Sequence, residues 1–140
     1  MPARIETRAR ARALQALYAW DVRKDPAGME RIAELVWDDL AVPAPERAFA
    51  SALVRLIAAE RPAMDAELAE VTTNWRLERL GNVERCVLRL GAAELMQGAT
   101  PPRVVIQEYV RLAERFGSGP SARFVNGVLD ALARRMGRLA

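Results

Sequence analysis

The side chains best suited to chemistry lie at the start of the chain, where arginines recur at short intervals. Residues 1–12 contain Arg4, Arg8, Arg10 and Arg12 and a single acid, Glu6. A guanidinium group pairs with phosphate through two parallel hydrogen bonds and also stacks on nucleobases. Such a cluster is typical of a phosphate-binding arm, and equally of a solvated helix start.

A helical projection of this segment predicts one exposed polar strip. At 100° per residue, four side chains fall within about 80° of one another: Arg4, Arg8, Gln15 and Tyr18. A different side carries the predicted core residues Ala13, Leu14, Leu17 and Trp20. Two guanidinium groups, an amide and an aromatic ring are suited to RNA. The alternative is that Tyr18 packs at the edge of the core and that the arginines are only solvated.

Other residue types argue against an enzyme, a metal or a cofactor. The chain has no histidine, which excludes histidine-based acid–base catalysis and histidine metal ligands. The single cysteine, Cys86, lies beside the apolar face of a predicted helix, where a small buried hydrophobe is the better interpretation. Residues 117–119 lack the strand and lysine of a phosphate-binding loop. Glu94 projects to an apolar side, so we expect it to be buried and paired, for example with an arginine.

The length of the chain indicates one domain, which spans residues 1–140. The 140 residues carry a net charge of +3, and Lys24 is the only lysine among 21 basic residues. No apolar run approaches the roughly 20 residues that span a bilayer. The start of the chain also lacks the apolar stretch of a signal peptide. We therefore expect a cytoplasmic protein without a membrane partner.

The elements that must position these side chains are all predicted to be helices, because the apolar residues recur at helical spacing. The first helix is predicted over 5–23, and a second follows Asp25 as cap with Pro26 at its first position. A third precedes Pro62, which is expected to start a fourth that runs to Trp75. Asn82 is the predicted cap of a fifth helix that ends before Gly98. Two more are expected, from Pro102 to Gly117 and from the turn 118–121 to about 136. The class is all-α, with six or seven helices.

Two longer patterns carry a family resemblance. Residues 8–20 read RARARALQALYAW, and Phe116-Gly117 is followed by FVNGVLD at 124–130. Between them, LGNVERCVLRL at 80–90 and Glu94-Leu95 fall in the expected order. The chain resembles the NusB family of transcription antitermination proteins over nearly its whole length. That resemblance implies a seven-helix fold made of two small helical bundles.

The resemblance also implies a function and its residues. NusB-like proteins bind the boxA element of ribosomal RNA leaders together with the ribosomal protein NusE, within the antitermination complex on RNA polymerase, and support ribosome assembly. The RNA-binding positions implied here are Arg4, Arg8, Arg10, Gln15, Ser121 and Arg123. The backbone N–H groups of the helix start at Ser121 would favour phosphate. The NusE-facing positions implied are Tyr18 and Glu84.

The predicted last helix contains residues that are unusual at their positions. Pro120 stands where NusB-like chains often carry an acid, and it fixes the turn beside the implied RNA surface. Asn126 and Gly127 lie inside the helix, where both weaken helix formation. We expect Gly127 to allow close helix packing. For Asn126 we favour a structural role over contact with RNA.

Two alternatives from other classes remain. The chain could be the RNA-recruiting domain of an rRNA methyltransferase, which would require a partner domain beyond Ala140. It could also be a purely structural helical homodimer without an RNA role. Exposure of Trp20, Trp37 or Trp75 would favour a homodimer interface.

Overall fold

A computed structural model describes residues 4–23, 28–72 and 76–140, and these residues contain α-helices and no β-strand. The all-α class is confirmed. Six α-helices occur in the described residues: α1 (Ile5–Arg23), α2 (Met29–Asp39), α3 (Ala44–Val71), α4 (Asn82–Gln97), α5 (Pro102–Phe116) and α6 (Gly119–Arg135). A short 3-10 turn, Leu77–Arg79, precedes α4. No helix among the described residues is long and apolar enough to cross a membrane.

The helices pack as two small bundles that share α4. Helices α1, α2 and α3 contact one another, as do α4, α5 and α6. Helix α4 also packs against α1 and α3, and residues 86–95 of α4 are all buried. Apolar residues on two sides of this helix predict a central position: Val83, Val87 and Leu90 on one side, and Leu88, Ala92 and Leu95 on the other. The structure confirms this position.

The end of α4 and the start of α6 follow local signals. Helix α4 ends at Gly98, which adopts the left-handed conformation with φ of 71° that glycine tolerates best. Ser118 caps α6, because its hydroxyl accepts a hydrogen bond from the Ser121 N–H. The predicted cap of α2 at Asp25 and Pro26 lies outside the described residues, and α2 begins at Met29, after Gly28.

The predicted break at Pro62 is wrong, because α3 is continuous through it. A proline in a helix interior loses one hydrogen bond and costs about 3 kcal/mol. Here the apolar face keeps its helical period across the proline, and four of its residues are buried: Leu53, Ile57, Met64 and Leu68. Burial of that long face against the neighbouring helices offsets the local cost.

Asn82 does not cap α4, contrary to expectation. The residue at the cap position is Gly81, and the Asn82 amide donates to Asp21 Oδ2 of α1 at 2.6 Å. Arg85 and Arg89 bind the same carboxylate, at 2.6 and 3.3 Å. Asp21 therefore ties the end of α1 to the start of α4.

The glycine that allows close helix packing is Gly91, and the expectation for Gly127 is wrong. A Cβ atom on Gly91 would lie 2.6 Å from Leu129 Cδ1, which brings α4 and α6 into close approach. A Cβ atom on Gly127 would meet nothing within 4 Å. Gly127 lies on the exposed side of α6.

Candidate nucleic-acid interface

A groove of about 350 Å³ runs between α1 and α5. Its α1 wall is formed mainly by Thr7, Arg8, Arg12 and Gln15, and its α5 wall by Glu108, Arg111, Arg115 and Phe116. Three predicted RNA-binding residues, Arg8, Arg10 and Gln15, therefore line one concave and strongly basic surface. A groove of this kind concentrates the positive potential that attracts a phosphate chain.

A buried carboxylate holds the α1 wall in place. Glu46 of α3 is buried, and its Oε2 accepts from Arg8 Nε at 3.2 Å. Its Oε1 accepts from Arg12 Nε at 3.4 Å, and Arg12 Nη1 also donates to Gln15 Oε1 at 3.2 Å. The two arginines are thus oriented by α3, with their side chains 44% and 31% exposed.

Arg10 also lines the groove but is almost fully buried, so it offers little surface to a ligand. Its expected contact with RNA stays a prediction. Arg10 is 3% exposed, and its Nε and Nη2 donate to the two oxygens of Glu94 at 2.8 and 2.6 Å. Its Nη1 donates to Glu108 Oε1 at 2.9 Å. Position 10 points between α4 and α5, so the guanidinium joins three helices. The predicted pairing of buried Glu94 with an arginine is confirmed.

The electrostatics of this cluster favour the charged form of Arg10. Burial opposes the charge on Arg10, but the hydrogen bonds and attraction of Glu94 outweigh it and raise the pKa of the guanidinium. The hydroxyl of buried Tyr109 donates to Glu94 Oε1 at 2.8 Å. Burial, followed by the charge of Glu94, raises the pKa of Tyr109, so this hydroxyl stays protonated. The cluster is a structural support beneath the groove.

Tyr18 lies next to the groove rather than in it. It is 43% exposed and lines an apolar pocket of about 260 Å³ with Leu14, Gln15, Val83 and Phe116. Projection of α5 places Phe116 on the core side, but the side chain is 37% exposed. It closes the groove on one side and the pocket on the other, so the two surfaces are continuous through Gln15 and Phe116.

Ser121, at the start of α6, forms internal hydrogen bonds, and its expected contact with RNA stays a prediction. This residue is 7% exposed, and its N–H donates to Ser118 Oγ at 3.2 Å. Its Oγ donates to Glu84 Oε1 at 2.7 Å. Pro120 has no N–H to offer. The Ser121 N–H is therefore already paired, and Glu84 is in part a clamp between α4 and α6.

The remaining predicted residues are exposed. Arg4 lies at the start of the described chain, just before α1, and Arg123 lies on the outer side of α6. Asn126 is also exposed and has no hydrogen-bond partner among the described residues, so the structural role favoured for it is not found. The structure does not gather these three residues into the groove.

Sequence reasoning missed two groove residues, Arg111 and Arg115. Their i, i+4 spacing on the polar side of α5 was a usable signal, because such residues share one helix face. The sequence does not show that this face of α5 lies opposite α1.

Cys86 is fully buried, and burial raises the pKa of its thiol to about 12. It is a core residue, as expected, and not a nucleophile. The described residues contain no group of three His, Cys, Asp or Glu side chains that could hold a metal ion.

Comparison with known proteins places this arrangement in a family. The model of the NusB family matches residues 7–134. The chain belongs to the NusB family. It is 44% identical over 128 residues to the transcription antitermination protein NusB of Anaeromyxobacter dehalogenans, covering 91% of this chain and 89% of that one. The NusB protein of Sorangium cellulosum is 42% identical over 131 residues, with 93% and 92% covered.

Solved NusB structures share the fold. NusB of T. maritima superposes with a TM-score of 0.85 at 31% identity, covering 96% of this chain and 93% of that one. A solved complex of the antitermination factors NusB and NusE with double-stranded RNA gives a TM-score of 0.84 at 28% identity, covering 94% and 97%. The NusB-type architecture implied by the sequence is therefore confirmed.

Proposed function

We propose that this protein is a transcription antitermination factor that binds the boxA RNA of ribosomal RNA leaders together with NusE. Residues 1–140 would act as one RNA-binding domain in the cytoplasm, without catalysis, and would support ribosomal RNA transcription and ribosome assembly. The observation that carries the proposal is the arginine-lined groove between α1 and α5, in a chain of the NusB family.

The groove has the chemistry of an RNA backbone site. Arg8 and Arg12 keep partly exposed guanidinium groups while Glu46 orients them, so they are arranged before a ligand arrives. Preorganised guanidinium groups bind phosphate with a smaller entropic penalty than free side chains. Arg4 and Arg123 are exposed outside the groove lining, and we keep them as predicted RNA contacts.

The apolar pocket beside Tyr18 suits a protein partner. Aromatic and apolar side chains at a concave site are typical of an interface core. A NusB–NusE–RNA complex is known for a relative with the same fold. We therefore assign Tyr18, with nearby Val83, to the NusE-facing surface. Glu84 would contribute to this surface indirectly, because its carboxylate accepts a hydrogen bond from Ser121 at the start of α6.

The structural homodimer has less support than the RNA-binding adaptor. Trp37 is buried, and Trp20 is half-buried with the Arg61 guanidinium 5.1 Å from its ring centre. Trp75 lies outside the described residues. Neither described tryptophan thus offers the exposed face that would favour a dimer interface. The relatives that match here are antitermination proteins, which favours the adaptor over a methyltransferase domain.

The decisive experiment is a titration of boxA RNA and of a scrambled RNA of equal length, with and without NusE, at two salt concentrations. We expect tighter binding of boxA than of the scrambled RNA, and a further gain when NusE is added. Equal and weak binding of both RNAs under all conditions would contradict the proposal.

Within that assay, Arg8→Ala tests the groove. We expect weaker binding to both RNAs and a smaller salt dependence, by about 0.7 in the slope of log K against log salt for one phosphate of a single strand. Arg31→Ala is the matched control, because Arg31 is an exposed arginine of α2 outside the groove. If the two variants bind alike, α1 does not contact the RNA backbone.

A further inference from the structure

We propose that α5 supplies a second phosphate-binding wall, formed by Arg111 and Arg115, so that an RNA strand lies in the groove between two helices. The proposal rests on the RNA-binding function proposed above. It adds two residues on α5 that the family resemblance does not point to, opposite Arg8 and Arg12.

The charges that line the groove are compensated unevenly. On the α1 side, Arg8 and Arg12 share the carboxylate of Glu46. Beneath them, Arg10 is neutralised by Glu94 and Glu108. The excess positive charge of the groove therefore comes from its α5 wall.

Both α5 arginines are exposed, and no carboxylate among residues 4–23, 28–72 and 76–140 pairs with them. In the part of the chain that the structure describes, neither Arg111 nor Arg115 forms a salt bridge. Glu108, on the same face of α5, is engaged with Arg10 at 2.9 Å and with Thr7 at 2.7 Å. An anion entering the groove would thus meet two available guanidinium groups.

The geometry suits one extended strand. Residues at i and i+4 of a helix have Cβ atoms about 6 Å apart on the same face, so both arginines can reach phosphates of the same strand. The Arg115 guanidinium also lies 4.8 Å from the centre of the Phe116 ring. Together these planar groups give a stacking surface for an unpaired base at the end of the groove.

An acidic protein segment is the competing ligand, and the groove favours RNA over it. The amide of Gln15 and the ring of Phe116 line the same cavity as the arginines. Amides bond base edges and rings stack on bases, whereas an acidic peptide would use the charges alone.

The test compares three proteins in titrations with a single-stranded boxA RNA, without NusE, over a series of salt concentrations. They are the wild type, Arg111→Ala/Arg115→Ala, and the control Arg31→Ala/Arg103→Ala. The control removes the same total charge from exposed arginines outside the groove, one of them on α5 itself. Circular dichroism and thermal unfolding establish that all three are folded.

For the α5 variant we expect the salt slope to fall by about 1.4, because each phosphate of a single strand that is no longer neutralised lowers the slope by about 0.7. The same counterion release predicts roughly ten-fold weaker binding at 0.15 M salt. The control should keep the wild-type slope. Arg111→Lys/Arg115→Lys should restore most of the slope, since lysine keeps the charge that pairs with phosphate.

The experiments distinguish failure of the α5 proposal from failure of the proposed RNA-binding function. If the wild type binds RNA and Arg8→Ala weakens binding, but the α5 variant behaves like its control, the α5 wall is refuted while the RNA function stands. Unchanged RNA binding with weakened NusE binding would make α5 a protein contact and also refutes the proposal. Absence of RNA binding by the wild type, with and without NusE, would remove both proposals.

Discussion

Arg8, Arg10 and Arg12 are two residues apart on one helix, so successive side chains point in directions about 200° apart. The structure gives them two different roles. Arg8 and Arg12 face the groove from the side of Glu46, while Arg10 is buried and joins α1 to α4 and α5. Three identical residues thus separate into a partly exposed pair at the groove and a buried structural cross-link.

We predict that Arg10→Ala destabilises the fold strongly. Removal of the guanidinium leaves Glu94 as a buried carboxylate without its counter-charge, which costs about 3–5 kcal/mol of unfolding free energy. Urea denaturation at pH 7 measures the change.

Arg134→Ala is the control for that measurement. Arg134 pairs with Asp130 in an exposed i, i+4 bridge on α6, and we expect its loss to leave the unfolding midpoint unchanged. If both variants unfold at the wild-type midpoint, Arg10 is not a structural cross-link.

Two glycines, Gly91 of α4 and Gly127 of α6, differ in their effect on the distance between these helices. Gly91 is buried where Leu129 crosses it, and Gly127 is exposed with open space around it. The glycine of the FVNGVLD pattern therefore has no packing role. The neighbouring Asn126 is likewise exposed.

We predict opposite effects of alanine at these two positions. Gly127→Ala should stabilise the protein by about 0.5–1 kcal/mol, because alanine forms helix better and meets no neighbour. Gly91→Ala should destabilise it by about 1–2 kcal/mol, because the new methyl group overlaps Leu129 in a closely packed core.

Chemical denaturation of the two variants side by side measures both effects. Each substitution carries the same change in helix propensity, so the difference between them isolates the contact at Gly91. Equal stability of the two variants would mean that α4 and α6 can separate freely at this crossing.

For the whole molecule, buried ionisable groups limit stability at both ends of the pH scale. Burial opposes ionisation of Asp21, but hydrogen bonds from Arg85 and Asn82 outweigh it and lower the pKa of the carboxyl. Its stabilisation is present above the ordinary value of 3.8 and is lost as the pH falls below it. Cys86 acts at the other end, because burial raises its pKa from 9.0 to about 12.

We therefore predict an alkaline loss of stability that depends on Cys86. Above pH 9 the unfolded thiol ionises while the folded thiol does not, which lowers the unfolding free energy by about 3 kcal/mol at pH 11. Denaturation of the wild type and of Cys86→Ala between pH 7 and 11 measures this loss. The variant should decline less steeply, whereas parallel curves would show that the thiol does not contribute.

Local signals in the sequence determined the extent of α1 and the ends of α4 and α5. The helical period and the residues at the ends predict α1 over its full range, and the ends of α4 and α5 at Gly98 and Gly117. These features depend on neighbours within a few residues, so a single chain segment contains the information. The resemblance carried by the patterns at 8–20 and 124–130 implied the NusB fold, which the structure confirms.

Tertiary structure decided which side chains meet. Asn82 bonds Asp21 across 61 residues instead of capping its own helix, and α3 continues through Pro62 because its apolar face is buried. Which arginine of α1 is buried depends on where Glu94 and Glu108 lie, and the second wall of the groove depends on α5. Helical projection gives a direction for each side chain but not the helix packed in that direction, and only the packing of α1 against α4 and α5 supplies it.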